Sequence, residues 1–216
     1  MHRGRHQRRT QDERVQARMN AEADRMGRLV DELLTPARLD RQPELRMNPV
    51  DLSRLVRDGA DDLRAQQPRR PLTVRAGGAL IVHGDESGLR QVVGNLLSNI
   101  RAHTPVEAAV RVELTRTETA DRGPWVRLEI ADDGPGMSAK DAERIFDRFF
   151  RAAGGGSADG PVGSGLGMAI VQALVAAQGG TVTVRTAPGE GLAVTVGLLA
   201  RPAGDPRPAV TPAGRV

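Results

Sequence analysis

The 216-residue chain has no cysteine and no tyrosine, one tryptophan and three phenylalanines. Without cysteine there is no disulfide and no thiolate metal site, which fits a reducing compartment. Aromatics make up 2% of residues, so the core must be packed from Leu, Val, Ile and Ala, and a hydrophobic content of 39% suffices for that. The length allows one domain of about 150 residues plus appendages. No apolar run approaches the roughly 18–20 residues that a membrane helix needs. The best candidate, 169–177, is short and is interrupted by Gln172. A secretory signal is also missing, because Met1-His2-Arg3-Gly4-Arg5 leads into more arginine. The expectation is a cytoplasmic chain with no membrane span.

Lysine is nearly absent: Lys140 stands alone against thirty arginines, an imbalance that codon usage explains more simply than selection for guanidinium chemistry. A net charge of +4 invites a nucleic-acid reading, but the charge is badly placed for one. Residues 1–9 hold four arginines and no acid, and 201–216 hold three arginines and one aspartate. Without these ends, 24 basic and 26 acidic residues remain, a net of −2. No broad phosphate-binding face follows, and no nucleic-acid partner is expected.

Patterning divides the chain into a basic disordered arm (1–11), a long helix (12–40), a linker (41–49), a main domain (50–200) and a proline-rich disordered tail (201–216). Met19, Ala23, Met26, Val30, Leu33 and Ala37 step by fours and threes, a bundle-type heptad seam that Pro36 should kink or end. Within the main domain, Asp51 should cap a helix to about Ala65, and Asp85 one to about His103. Ser138 should cap a short helix to Ile145, and an apolar helix spans 165–177. Strands are predicted at 72–75, 79–82, 110–115, 125–131, 181–186 and 192–199. Residues 152–163 read as a mobile glycine-rich loop. The order of elements implies an α/β (α+β) sandwich, with helices on one face of a mixed sheet.

Three segments carry chemistry. Asn95 and Asn99 are four apart on a helix, so both amides project from one face, while Leu96, Leu97 and Ile100 bury another. An amide carbonyl is a hard oxygen donor of the kind Mg²⁺ accepts, although Asn on an exposed face can simply meet water. Asp132 ends an apolar strand before Gly134 and Gly136. A carboxylate there can accept from an exocyclic amine such as that of adenine, and glycines permit close approach of a flat ring; an ordinary acidic turn is the bland reading. Gly163-Ser164-Gly165-Leu166-Gly167 feeds a helix N-terminus, which suits phosphate, or else is a plain loop. It lacks both the last glycine of the dinucleotide fingerprint and the G-K-[ST] of a P-loop. Phe146, Phe149 and Phe150 cluster beside it, as a lid anchor or a local apolar cluster. His6 has neither a following acid nor an apolar seam, so it makes a poor phosphoacceptor. His83 reads as structural or solvated.

From about Glu22 to Leu199 these residues resemble a sensor histidine kinase. "EADRMGRLVDELL…ARLD" resembles the second helix of the dimerisation and phosphotransfer hairpin, and "LRQVVGNLLSNIRAHTP" the asparagine box. "DDGPGM", "RIFDRFFR" and "GSGLGMAIVQALVAAQGG" resemble the first glycine, phenylalanine and second glycine boxes. The resemblance implies a histidine-kinase-type (Bergerat/GHKL) ATPase fold that binds ATP with Mg²⁺. It makes Asn99 the metal ligand and Asn95 and His103 pocket residues. Asp132 becomes the adenine reader, and Gly134, Gly136, Gly163, Gly165, Leu166 and Gly167 shape the pocket and lid hinge. The implied activity is transfer of the γ-phosphoryl to a histidine in trans, since no first hairpin helix with an acceptor histidine is found and the start is expected to lie inside the hairpin loop. Implied partners are a response regulator, an acceptor hairpin and a second copy through helix 12–40. Ala102 departs from the basic residue usual there, with Arg101 rotated by about 100°. Gly191-Leu192-Ala193 replaces Gly-Thr or Gly-Ser. These departures keep open a regulatory module without kinase activity; an anti-sigma-type serine kinase is a third reading.

Overall fold

The computed structural model describes residues 45–119, 123–152 and 165–200. The arm 1–11, the helix expected at 12–40, the tail 201–216, His6, Gly163 and nearly all of the glycine-rich loop lie outside these residues. The described residues belong to one compact unit that begins at Leu45.

Local chemistry starts the helices. The Asp51 carboxylate accepts from the Arg54 N–H at 3.3 Å and opens α1 (Leu52–Gln66). Asp85 accepts from the Gly88 N–H at 2.8 Å and opens α2 (Glu86–His103). Each cap satisfies an N–H that the first helical turn leaves without a backbone partner. Burial alone would push the Asp85 carboxyl up, but hydrogen bonds from the Ser87 hydroxyl and from the N–H groups of Gly88, Arg46 and Ser87 outweigh it and hold it below the usual carboxylate range. Ser138 caps α3, which runs only over Ala139–Ala142. Beyond it, Arg144, Ile145 and Asp147 each donate to a carbonyl three residues back, so the expected helix to Ile145 continues as tight turns. The last helix, α4, spans Gly167–Ala177. It starts two residues later than expected because Gly165 has φ +72°, outside any right-handed helix.

The described residues form seven strands: β1 (Asn48–Asp51), β2 (Leu72–Ala76), β3 (Ile81–Gly84), β4 (Val110–Thr119), β5 (Gly123–Asp132), β6 (Thr181–Thr186) and β7 (Leu192–Leu199). β2, β4, β5, β7 and β6 lie in that order in one sheet. Only β2 and β4 are parallel, so the sheet is mixed as expected. β1 and β3 form a separate antiparallel pair. Asn48 and Pro49, read as linker, thus open a strand. Pro49 is tolerated because, among the described residues, β1 has a neighbour on one side only, where a missing N–H breaks no second ladder.

Alternation sets the core. Val112, Ile130 and Val194 stand in one cross-strand row, and Leu114, Leu128 and Val196 in another. All six are buried, whereas Arg111 and Arg127 on the other face are exposed. On α2, Leu89, Val92, Val93, Leu96, Leu97 and Ile100 form the buried stripe of an amphipathic helix. Each such side chain contributes about 1.5–3 kcal/mol before conformational entropy is subtracted. Buried Gln178 joins the far ends of two helices: its Oε1 accepts from the Asp85 N–H at 2.8 Å, and its Nε2 donates to the Leu174 carbonyl at 3.1 Å. Helix α2 is thereby fixed at its start.

Candidate functional site

Asp132 is the last residue of β5 and is 8% exposed. Its Oδ1 accepts from the Gly134 N–H at 2.9 Å. Burial pushes the carboxyl above the usual carboxylate range. The N–H groups of Gly134 and Leu192 pull it back, Asp133 adds to the rise, and the Arg70 guanidinium opposes it. A strand end therefore carries a desolvated carboxylate that favours a hydrogen-bond donor as its neighbour.

The glycines around it make room for protein atoms. A Cβ on Gly134 would stand 2.7 Å from both Asp132 Oδ1 and Thr104 Cγ2. A Cβ on Gly136, which has φ +62°, would stand 2.0 Å from the Ala187 carbonyl oxygen. The expected close approach is thus made, at Gly136, by the β6–β7 turn. Gly189 N–H closes the same contact by donating to the Pro135 carbonyl at 2.7 Å. Thr186 Oγ1 also spans it, donating to the Gly191 carbonyl at 2.6 Å and accepting from the Met137 N–H at 3.1 Å.

Asn95, Asn99 and His103 recur every four residues along α2; the two asparagines are half-buried and His103 is exposed. Asn95 Nδ2 donates to the Gly167 carbonyl at 3.4 Å, joining the asparagine segment to the first residue of α4. Leu166, at the N-cap position of α4, is buried and its side chain makes no capping hydrogen bond. Gly165 faces the phenylalanine segment: the Phe149 N–H donates to the Gly165 carbonyl at 3.0 Å. A Cβ on Gly165 would be 2.9 Å from Phe149 Cα. Phe149 itself has φ +63° and is 65% exposed. Arg144 stacks over the Phe150 ring at 4.7 Å from its centre.

Of the expected site residues, Asn95 and Gly167 touch, and Asp132 and Gly134 share one turn. Gly136 and Gly165 are engaged with other backbone, and Gly163 lies outside the described residues. Sequence reasoning missed Arg70 and Thr104. Thr104 follows α2 and forms the wall beside Gly134. Arg70 is 5% exposed and donates to Thr104 Oγ1 at 2.8 Å, to the Thr104 carbonyl at 3.1 Å and to the Ala108 carbonyl at 3.1 Å. Nothing local marks one arginine among thirty as buried. Gly191 was noticed only for the residues that follow it, yet its φ of +70° and its contact with Asp132 are what the turn requires. Among the described residues no group of three or more His, Cys, Asp or Glu could hold a metal ion. Nor is any described helix long and apolar enough to cross a membrane.

Comparison with known proteins identifies the family and the fold. A family model described as histidine kinase-, DNA gyrase B- and HSP90-like ATPase matches residues 84–202. The probable sensor histidine kinase TcrY of Mycobacterium tuberculosis is 39% identical over 175 residues, covering 80% of this chain and 35% of that protein. Two solved structures share the fold. The mycobacterial sensor histidine kinase MprB has a TM-score of 0.63 at 32% identity, covering 72% of this chain and all of that one. Full-length ShkA in complex with AMPPNP has a TM-score of 0.65 at 29% identity, covering 83% and 37%. The chain spans about a third of the length of TcrY.

Proposed function

This chain belongs to the family of histidine kinase-, DNA gyrase B- and HSP90-like ATPases, and from that premise we propose that residues 50–200 are the ATP-binding catalytic core of a two-component sensor kinase. The reaction is transfer of the γ-phosphoryl of Mg-ATP to a histidine nitrogen supplied in trans, with ADP leaving, followed by passage to a response regulator. One observation carries this reading. Helix α2 meets Gly167 through Asn95 and, nine residues later, meets Gly134 through Thr104. At a rise of 1.5 Å per residue these contacts are about 14 Å apart along one helix. That spacing suits an extended nucleoside triphosphate, with its base at one end and its phosphates at the other.

In this reading Asp132 accepts from the adenine amino group, and its desolvation favours such a donor. The start of α4 receives phosphate oxygens, as helix N-termini do. Asn99 offers one hard oxygen to Mg²⁺, and His103 flanks the same face. Phosphate and water oxygens would complete the shell, the usual habit of Mg²⁺. Bound Mg²⁺ supplies charge neutralisation at the triphosphate; the protein's share is positioning and fixed dipoles. Gly163, Gly165 and Leu166 belong to the hinge of the phosphate side. Use of ATP suits a cytoplasmic domain, and the heptad pattern of 12–40 suits a second copy or an acceptor hairpin as its partner.

The test is Mg²⁺-dependent ATP binding by the full chain, followed by γ-labelled ATP with an intact acceptor hairpin added. Binding with labelled phosphohistidine supports the reading, and absence of binding ends it. Ala102, next to Arg101 on α2, favours one alternative: a regulatory module that binds ATP and transfers nothing. Binding without label would select that alternative.

A further inference from the structure

We propose that Arg70 is a positioning residue for the adenine end of the site, acting by clamping the 104–109 loop around Asp132. The inference rests on the assignment of Asp132 to the adenine amino group. Arg70 sits in the corner between α1 and β2, far from Asp132 in sequence. Its Nε donates to Gln67 Oε1 at 2.6 Å, which fixes the fork within its own corner. Nη1 reaches Thr104 Oγ1 and the Ala108 carbonyl, and Nη2 reaches the Thr104 carbonyl. One guanidinium therefore holds both ends of the loop that joins α2 to β4.

That loop touches the Asp132 turn twice. The Thr104 methyl stands against Gly134, the residue whose N–H holds Asp132 Oδ1. The Ala109 carbonyl accepts from the Asp133 N–H at 3.2 Å. The corner is also stitched directly to β4, because the Val110 N–H donates to the Pro71 carbonyl at 2.8 Å. A planar fork with several donors in fixed directions meets this set of acceptors; a lysine ammonium on a flexible stem does not.

Charge points the same way. No carboxylate touches the buried Arg70 among the hydrogen bonds described above. Burial draws its pKa down, and Asp132 first, then Glu107 and Asp133, oppose that from a distance. The guanidinium in turn favours the ionised form of Asp132. A residue needed only to close the α1–β2 corner could have used neutral donors.

ITP, which lacks the exocyclic amine of ATP, isolates the contact in question. Affinities of the full chain for Mg-ATP and Mg-ITP are measured by calorimetry for the natural protein, Arg70→Lys and Thr104→Val. Valine keeps a methyl against Gly134 but removes the hydroxyl that Arg70 holds. The natural chain should prefer ATP, and Arg70→Lys should reduce that preference by about tenfold, the scale of one charge-assisted hydrogen bond. Thr104→Val should reduce it severalfold in the same direction. A folded Arg70→Lys chain that loses ATP and ITP affinity equally, or neither, overturns the inference, because a merely structural role leaves the preference untouched. If Arg70→Lys does not fold, Thr104→Val decides alone, and an unchanged preference overturns the proposal. Failure of the underlying reading looks different: the natural chain itself would bind no ATP or show no preference over ITP, and the inference would fall with it.

Discussion

A Cβ on Gly191 would stand 1.9 Å from the main-chain oxygen of Asp132, nearer than any nonbonded carbon can sit. The end of β5 and the β6–β7 turn are therefore in backbone contact, and Gly191, at φ +70°, allows it. Gly189 in the same turn has φ +80° but nothing within 4 Å of its would-be Cβ. Gly189→Ala should cost about 1 kcal/mol, from backbone conformation alone. Gly191→Ala adds a collision and should exceed about 3 kcal/mol. Urea unfolding of both variants checks this; equal losses would mean that the turn shifts to accommodate the methyl.

Asp132→Asn should separate function from stability. The amide retains an oxygen for the Gly134 N–H, so the turn survives. It also removes a charge that burial disfavours, so the melting temperature should stay or rise. Adenine-nucleotide affinity should fall by about 1.5–3 kcal/mol, the value of a hydrogen bond to a charged group. Calorimetry showing unchanged affinity would take Asp132 out of the site.

The raised pKa of Asp132 makes a pH prediction with a definite sign. Between its unfolded and folded values the native chain holds the extra proton, so this group's contribution to stability is complete below the unfolded value and vanishes as pH rises through the folded one. Nucleotide binding, which wants the ionised form, should run the opposite way. It should weaken on acidification at a pH above the ordinary carboxylate value of about 3.9. A titration of ATP affinity against pH, repeated on Asp132→Asn, would reveal the limb and its loss.

Mg²⁺ should bind with the nucleotide and not before it. Titrating the chain with Mg²⁺ alone should give no heat, because Asn99 offers a single amide oxygen. Adding ATP should create the Mg²⁺ requirement, and Asn99→Ala should weaken it. Equal Mg²⁺ dependence in that variant would remove Asn99 from the metal's surroundings.

What could be read without coordinates was local. Asp51, Asp85 and Ser138 announced helix starts because a cap acts within three residues. The bounds expected for β6 and β7 match the strands found. Pro49 was misread because a strand edge is defined by what lies beside it, not by its own residues. Asn95 and Gly167 are 72 positions apart, so motif order could suggest their meeting but not its geometry. Arg70 gave no sign at all: burial of a long cation depends on acceptors 34 to 38 residues away. The backbone contact at Gly136 was hidden for a similar reason, because a glycine motif does not say what fills the space it leaves.

Phe149 and Gly165 are held together by a single main-chain hydrogen bond, and the chain between them sets out and returns at that knot. Such a pin fixes where the chain leaves and rejoins the fold, and closure entropy depends only weakly on what joins two pinned ends, by about 0.6 kcal/mol for each doubling of length. Insertions or deletions between these two residues should therefore leave Asp132 where the sheet holds it, at the end of β5.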